Sequence, residues 1–221
     1  MVVEAVHEAK YADVGGGITM HFHEAGSGER GVVVFVHGSG PGASGWSNFK
    51  GNYPLLAEHG YRAIVPDTMG YGYSTKPEEG AFSLSDVAAQ YKALLDALDI
   101  ERATVVGNSQ GGAIAITMAL DYPDLVDKLV LMAPGGLETR ETYMAMEGIK
   151  AMIRVLYKEG ISKETMRKVF TLQLHDESKI TDEVIEERYR IAKTQHKDNQ
   201  DSCKFVLHSC TDEVNEILLH E

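Results

Sequence analysis

Short apolar runs separated by longer amphipathic stretches form the hydrophobic pattern of the first 136 residues. The run at residues 32–36 is continuous and rich in β-branched side chains, which is typical of a strand covered by helices on both faces. Similar runs at 62–65, 103–106 and 128–132 are interpreted as further buried strands. Helices are predicted between these strands, over residues 47–59, 85–99 and 111–122. Strands that alternate with helices predict an α/β fold with a mostly parallel sheet.

An earlier segment, residues 18–23, has strict alternation instead of a continuous apolar run. Ile18, Met20 and Phe22 share one face of the predicted strand. Thr19, His21 and His23 lie on the other face. This period of two predicts a half-exposed strand.

The composition of the sequence changes after Pro134-Gly135-Gly136. The residues that follow are rich in charged side chains, include several methionines and have a helical pattern. Helices are predicted to start at Ser162 and Thr181, the latter followed by two acidic residues that favour a helix N-terminus. No apolar strand is found between residues 137 and 207. We therefore predict three units: an α/β core over 1–136, a helical cap over 137–207, and an unassigned tail over 208–221.

Composition narrows the range of partners. The chain has 221 residues and a formal net charge of −12, which repels nucleic acid and anionic membranes at long range. Its two cysteines, Cys203 and Cys210, have neither metal-ligand nor redox spacing, as expected in a reducing compartment. No leader-like segment or membrane-length apolar run is found. We expect a cytoplasmic protein without nucleic-acid or membrane partners.

A serine between glycines follows the apolar run at residues 103–106. Gly107, Ser109 and Gly111 match the Gly-x-Ser-x-Gly pattern of a nucleophile elbow, in which a serine sits on a sharp strand-to-helix turn. The glycines are needed because side chains there would obstruct the crossing backbones. The bare pattern also occurs by chance in loops, but a buried-type helix follows here at once. The pattern predicts serine-based acyl-transfer chemistry.

Such chemistry also needs backbone N–H groups aimed at the developing oxyanion. Gln110 opens the helix after the serine, so its N–H is one candidate donor. The glycine-rich turn Gly38-Ser39-Gly40, after the first buried strand, is the candidate for the second. Taken alone, that turn is also compatible with an ordinary strand-to-helix connection.

At these motifs the chain resembles the α/β-hydrolase fold family, and within it the meta-cleavage-product hydrolases, which cut carbon–carbon bonds during bacterial breakdown of aromatic compounds. The resemblance covers most of the chain up to about residue 205. It rests on separated motifs, which are HGSGPGASGW at 37–46 with SN at 47–48, DTMGYGYS at 67–74, GNSQGG at 107–112, DYPDLVDKLVLMAPGGL at 121–137 and ITDEVIEERY at 180–189.

The resemblance implies an α/β-hydrolase fold with a helical cap and a small anionic dienoate substrate. It implies no metal or organic cofactor, and a homo-oligomer. It also assigns site residues, which are Ser109 as nucleophile, Ser39 and Gln110 as backbone oxyanion donors, Asn48 and Asn108 in the polar part of the pocket, and Arg188 as the group that binds the carboxylate and 2-oxo end of the substrate.

Three of the matched positions have plainer interpretations. Arg188 stands among Glu183, Glu186 and Glu187, so a solvated salt bridge on a helix is the alternative to ligand binding. Trp46 is expected to be a packing residue. Asp67, with the glycines after it, is expected to build a turn.

The sequence departs from the family in its last part. In this fold the triad acid follows a strand after the cap, and the histidine lies near the C-terminus. Neither a strand leading into a Gly-x-Asp-Asp turn nor a Gly-His pair is found, so we expect the final strands to be lacking and residues 128–132 to form a sheet edge. The remaining candidates are Asp201 and Asp212 for the acid and His208 and His220 for the base. His175 and His196 are expected to be surface histidines of the cap.

Three functions therefore stay open. The first is hydrolysis of a carbon–carbon bond in a 2-hydroxy-6-oxo-dienoate by a serine nucleophile. The second is a serine carboxylesterase that uses the same elbow. The third is a non-catalytic protein of this fold that binds a small acid in the same pocket.

Overall fold

The computed structural model describes residues 9–77 and 82–195. The tail at 208–221, the two cysteines, His196 and all four candidates for the triad acid and base lie outside the described residues. The boundaries proposed at residues 136 and 207 stay predictions.

Six strands form one sheet, with the order β1-β2-β4-β3-β5-β6. Strands β3, β4, β5 and β6 run parallel, whereas β1 and β2 are antiparallel to their neighbours. The mostly parallel sheet predicted from the sequence is confirmed. The strands are β1 (Ala9–Asp13), β2 (Thr19–Ala25), β3 (Val32–Val36), β4 (Arg62–Pro66), β5 (Ala103–Asn108) and β6 (Val126–Met132).

Helices lie between the strands and after β6. Those within the core are α1 (Gly45–Phe49), α2 (Tyr53–Glu58), α3 (Leu84–Ala97) and α4 (Gln110–Asp121). Those after β6 are α5 (Arg140–Ala145), α6 (Glu147–Glu159), α7 (Lys163–Gln173) and α8 (Asp182–Gln195), with a short 3₁₀ turn at Glu177–Lys179 before α8. We refer to α5–α8 as the cap helices. Ser162 caps α7 by accepting a hydrogen bond from the Thr165 N–H, so this predicted helix start is confirmed.

The core has two apolar layers, one on each face of the sheet. Helices α3 and α4 cover one face, where Leu94, Leu95 and Ile114 are fully or almost fully buried. Phe49 and Tyr53 of the short helices α1 and α2 cover part of the other face. Burial on both faces explains why the inner strands have continuous apolar sequences. In the described part of the chain, no helix is long and apolar enough to cross a membrane.

The single helix predicted over residues 47–59 is wrong. The structure has α1 and α2 instead, with Lys50, Gly51 and Asn52 between them. Pro54 lies in the first turn of α2, where its missing N–H costs nothing. Inside one continuous helix the same proline would clash with the preceding turn, so the segment divides there.

The half-exposed face predicted for β2 is also partly wrong. His21 is only 2% exposed, because the rings of Tyr11 and Tyr73 pack on it with centroids at 5.1 and 5.2 Å. Tyr11 belongs to β1, a strand that the sequence pattern did not predict. Its five residues alternate between exposed and half-buried positions and carry little apolar content.

Strand β6 is more exposed than its sequence predicts. Leu129, Val130, Leu131 and Met132 each keep 37–47% of their surface exposed. The prediction of a buried strand is therefore wrong for the described residues, in which β6 pairs only with β5. The expectation that this strand forms a sheet edge is confirmed within the same residues.

A buried carboxylate connects three parts of the core. Asp67 follows β4 and accepts hydrogen bonds from the His21 ring at 2.8 Å, the Gly45 N–H at 2.7 Å and the Tyr73 N–H at 2.8 Å. Burial alone would raise its pKa, but the bonds from His21 and Tyr73 outweigh burial and hold the pKa of Asp67 below its ordinary value. The expected turn is therefore present, and its aspartate also joins β2, β4 and α1.

We expect Asp67→Asn to lower the free energy of unfolding by about 3 kcal/mol at pH 7, because it breaks a buried charged network. A carboxylate with a lowered folded-state pKa stabilises the fold above its unfolded pKa of about 4 and loses that effect as pH falls through the folded value. The difference between the two proteins should therefore narrow below about pH 4. Urea unfolding from pH 7 to pH 3 measures this, with Asp124→Asn as an exposed control. A loss no larger than that of the control would contradict the prediction.

Candidate active site

Ser109 stands at the turn between β5 and α4 with a strained backbone. Its φ is 56° and its ψ is −120°, a region that non-glycine residues rarely occupy. A Cβ on Gly107 would lie 2.4 Å from the carbonyl oxygen of Gly111, and one on Gly111 would lie 2.1 Å from that of Val36. The two glycines are therefore required by the crossing of β3, β5 and α4, as the elbow pattern predicts.

Backbone hydrogen bonds hold the elbow in place. The N–H of Ser109 donates to Met132 at 3.0 Å, and its carbonyl oxygen accepts from Gly112 at 2.8 Å and Gly135 at 2.7 Å. The strand β6 and the turn after it thus support the serine from one side. Ser109 itself is exposed, so its hydroxyl is accessible from the end of the sheet.

The two predicted backbone donors lie beside this serine. A Cβ on Gly38 would lie 3.1 Å from the Ser109 Cβ, so the turn after β3 touches the elbow directly. Ser39 follows in that turn, and Gln110 opens α4. Among the described residues, neither the N–H of Ser39 nor that of Gln110 has a hydrogen-bond acceptor. Both groups are therefore available to an oxygen atom bound near Ser109.

His37 fixes the turn that carries Ser39. Its ring is almost fully buried, with Nδ1 donating to the Gly38 carbonyl oxygen at 2.7 Å and Nε2 accepting from the Thr68 N–H at 2.9 Å. Burial lowers the pKa of His37, and the charge of Arg188 lowers it further against the opposing effect of Asp67. A neutral ring suits this arrangement, since Nε2 must accept a bond.

Tyr71 links the two sides of the site. Its ring meets His37 edge-on with centroids 5.4 Å apart, and its hydroxyl donates to the side-chain oxygen of Gln110 at 3.4 Å. Tyr71 and Gln110 are both buried. Tyr71 thus contacts both the turn after β3, through His37, and the start of α4, through Gln110. Sequence reasoning missed both His37 and Tyr71, although each lies inside a quoted motif.

The predicted polar pair, Asn48 and Asn108, is brought together. The Asn108 Nδ2 donates to the Asn48 Oδ1 at 3.5 Å, and Asn48 also donates to the Ser44 carbonyl oxygen at 2.9 Å. A Cβ on Gly38 would lie 3.4 Å from the Asn108 Nδ2. Both amides are therefore next to the glycine-rich turn, Asn108 at the end of β5 directly before Ser109 and Asn48 on α1.

Arg188 reaches the same turn from the cap. A Cβ on Gly42 would lie 2.0 Å from the Arg188 carbonyl oxygen, so α8 rests on the backbone of this turn. The guanidinium lies over the Phe170 ring at 5.5 Å. Burial lowers the pKa of Arg188 to about 10, against the opposing charge of Glu187.

The alternative interpretation of Arg188 as a helical salt bridge is wrong for the described residues. Glu186 pairs with Lys163 and Glu187 with Lys50, and no described carboxylate lies within 4 Å of the Arg188 guanidinium. Positions three and four residues away on a helix face each other, and here they are apolar: Val184, Ile185, Ile191 and Ala192. Arg188 therefore lies on the apolar face of α8.

No acid and base are assembled with Ser109 in residues 9–77 and 82–195. No described side chain hydrogen-bonds to its hydroxyl, and His175 is exposed on the cap as predicted. The same part of the chain contains no cluster of His, Cys, Asp and Glu that could hold a metal ion. The predicted site residues that the structure describes are therefore a serine, two residues with free backbone N–H groups, two amides and an arginine.

Comparison with known proteins gives consistent results. The α/β hydrolase fold family model matches residues 31–177. The curated 2-hydroxy-6-oxo-6-phenylhexa-2,4-dienoate hydrolase of Comamonas testosteroni is 42% identical over 175 residues, which is 77% of this chain and 58% of that protein. The meta-cleavage product hydrolase of Pseudomonas fluorescens IP01 has a similar structure, with 30% identity, a TM-score of 0.74, and coverage of 93% of this chain and 74% of that one.

A more distant structure shows how far the fold likeness extends. An epoxide hydrolase variant of Vigna radiata has a TM-score of 0.75 at 18% identity, covering 96% of this chain and 76% of that one. This likeness shows the fold alone. The chain spans 58–59% of the length of the first curated relatives it matches.

We expect Gly42→Ala to displace α8, because the new methyl group would overlap the Arg188 carbonyl oxygen and the φ of +69° disfavours a side chain. Overpacking of this kind costs about 1–3 kcal/mol. The free energy of unfolding should fall, and hydrogen exchange of the α8 amides should accelerate.

The matched control is Gly148→Ala, since Gly148 has no neighbouring atom within 4 Å of its Cβ position and lies in α6. It should leave stability unchanged or raise it slightly. Equal behaviour of the two variants would contradict a close contact between the turn and α8.

Proposed function

Because the chain belongs to the α/β-hydrolase fold family, we propose that it hydrolyses a carbon–carbon bond in a 2-hydroxy-6-oxo-dienoate, with Ser109 as the nucleophile. The observation that carries this proposal is the position of Arg188. The Arg188 backbone packs on Gly42, close after the part of the turn that touches Ser109, and its guanidinium, which lies over the Phe170 ring, has no carboxylate partner among the described residues. That arrangement suits a substrate with a carboxylate at one end and a reactive carbonyl group further along.

The carboxylate and 2-oxo end of the substrate is assigned to Arg188. A guanidinium offers two parallel N–H donors to a carboxylate, and the binding is stronger where water is excluded. Asn48 and Asn108 supply further polar contacts beside the turn. A local cation is also needed because the protein has a net charge of −12, which repels an anionic substrate at long range.

The reacting carbonyl group is C6 of the substrate. Ketonisation of the 2-hydroxy group places C2=O in conjugation with C3=C4, so this end of the molecule accepts an electron pair. The Ser109 oxygen bonds to C6, and the N–H groups of Ser39 and Gln110 bind the oxyanion. The C5–C6 bond then breaks, and its electron pair shifts through new C4=C5 and C2=C3 double bonds to the C2 oxygen, which takes the proton lost by Ser109. C5 keeps the proton that it gained on ketonisation. Water hydrolyses the acyl-serine to a carboxylic acid, and the other product is a 2-hydroxydienoate.

Proton removal from Ser109 needs a base, which the described residues do not supply. A serine without one is a weak nucleophile, although an oxyanion hole alone can retain about 10³-fold catalysis over water. Asp201, Asp212, His208 and His220 remain predictions, as do the cytoplasmic location and the homo-oligomeric state. The lack of a described base is also the observation that favours the second candidate, a non-catalytic protein that binds a small acid.

A fluorophosphonate probe is expected to label the chain at Ser109, and Ser109→Ala should abolish both labelling and consumption of the yellow dienoate chromophore. The expected loss of turnover is about 10³-fold or more, because the nucleophile acts together with the other groups of the site. Ser85→Ala, an exposed serine on α3, is the matched control.

Three other results would point elsewhere. Faster cleavage of p-nitrophenyl esters than of dienoates would favour a carboxylesterase. Binding of the dienoate without labelling or turnover would favour the non-catalytic candidate. Labelling that survives in Ser109→Ala would contradict the assignment of the nucleophile.

Arg188→Gln should weaken binding of a carboxylate ligand by about 1.5–3 kcal/mol, the value of a lost charged hydrogen bond. The measurement is the dissociation constant of 6-oxo-6-phenylhexanoate, which keeps the carboxylate and the 6-keto group but lacks the dienol system required for cleavage. Arg190→Gln, an exposed arginine on the same helix, serves as control. Unchanged affinity in Arg188→Gln would remove Arg188 from the site.

A further inference from the structure

Two side chains at α1 contact one carboxylate of α8. The Lys50 Nζ lies 2.6 Å from the Glu187 Oε2, and the Trp46 Nε1 donates to the same oxygen at 3.4 Å. The Glu187 side chain is 16% exposed and that of Lys50 is 33% exposed. Water and salt screen such a pair less than a fully exposed one. We call Trp46, Lys50 and Glu187 the α1–α8 clamp.

Glu187 of the clamp directly precedes Arg188, the cation that is assigned to the carboxylate of the substrate. Successive residues of an α-helix are rotated by about 100° around its axis, so the direction of Glu187 determines that of Arg188. The contact of the Arg188 backbone with Gly42 sets how closely α8 approaches the core. It does not by itself set the rotation of the helix. The rotation of the helix is set by the side chain of Glu187, because two donors of the core, Trp46 and Lys50, hold its carboxylate.

Two other polar contacts of α8 do not set its rotation against the core in this way. Glu186 pairs with Lys163, but both side chains are more than half exposed and Lys163 belongs to the neighbouring cap helix α7. Thr194 donates to the Gly72 carbonyl oxygen at 3.3 Å, nearly two turns beyond Arg188. Among the described residues, Glu187 supplies the ion pair that joins α8 to the core.

We propose that Glu187 is a positioning residue, which through the α1–α8 clamp sets the rotation of α8 and thereby directs Arg188 at the carboxylate of an anionic ligand. This inference rests on the proposed function, and it adds the residues that make Arg188 selective for a carboxylate. Trp46 is then more than the packing residue expected from the sequence, because its indole N–H is part of the clamp.

The test compares a carboxylate with its neutral counterpart. Dissociation constants of 6-oxo-6-phenylhexanoate and of its primary amide are measured by calorimetry for the wild-type chain and for Glu187→Gln, Lys50→Met and Lys50→Arg. The first two variants should bind the carboxylate about fivefold more weakly and the amide within about twofold of wild type. Lys50→Arg keeps the ion pair and should bind both probes as the wild type does.

The matched control is Lys163→Met. It breaks the exposed ion pair with Glu186, the neighbour of Glu187 on α8, and should change neither the affinity for the carboxylate nor that for the amide. Equal weakening of carboxylate and amide by the clamp variants would show a merely structural role and overturn the inference. A selective loss in Arg188→Gln without one in the clamp variants would overturn it too, while the proposed function stands. Binding of neither probe by the wild-type chain would overturn the proposed function itself.

Discussion

The close crossing of β3, β5 and α4 at Ser109 is the constraint on which the rest of the site depends. The strained serine backbone persists because its N–H and carbonyl group are both bonded to β6 and the turn after it. Gly107 and Gly111 let the crossing close to a distance that no side chain would permit. The hydroxyl of Ser109 is consequently placed at the end of the sheet, next to the turn after β3. The exposed strand β6 therefore helps to hold the Ser109 backbone, despite its position at the edge of the described sheet.

Buried polar groups hold the turn after β3 against this crossing. His37 is kept neutral by burial and bonds to Gly38 on one side and Thr68 on the other. Asp67 next to Thr68 keeps its charge through bonds from His21 and Tyr73. A neutral His37 and a charged Asp67 can lie close together here because each has a complete set of hydrogen-bond partners. The turn that presents Ser39 is thereby anchored to β2 and β4 from the core side, while α8 rests on its backbone from the cap side.

The sequence predicts most of the core but less of the site. Continuous apolar runs identify the parallel strands correctly, because burial on both faces leaves a plain signal. For β6 the same signal predicts more burial than the described residues show, since a sequence pattern does not show which element covers a strand. Predicting the burial of His21 requires knowing that Tyr11 and Tyr73 come together over it, which local alternation does not contain. The elbow and its donors are local in sequence, whereas the partners of His37 and Glu187 are 31 and 137 residues away.

Arg188 shows that the useful local signal was the face of the helix and not the neighbouring charges. Three glutamates surround it in sequence, yet none of them is three or four residues away, and the positions that are carry apolar side chains. A cation on an apolar helix face needs an anion from elsewhere. Overall shape does not supply this information, because the chain resembles an epoxide hydrolase as closely as a meta-cleavage product hydrolase, with TM-scores of 0.75 and 0.74. The distinction therefore depends on single residues, such as the serine at the elbow and the arginine of α8, which the shared fold positions but does not specify.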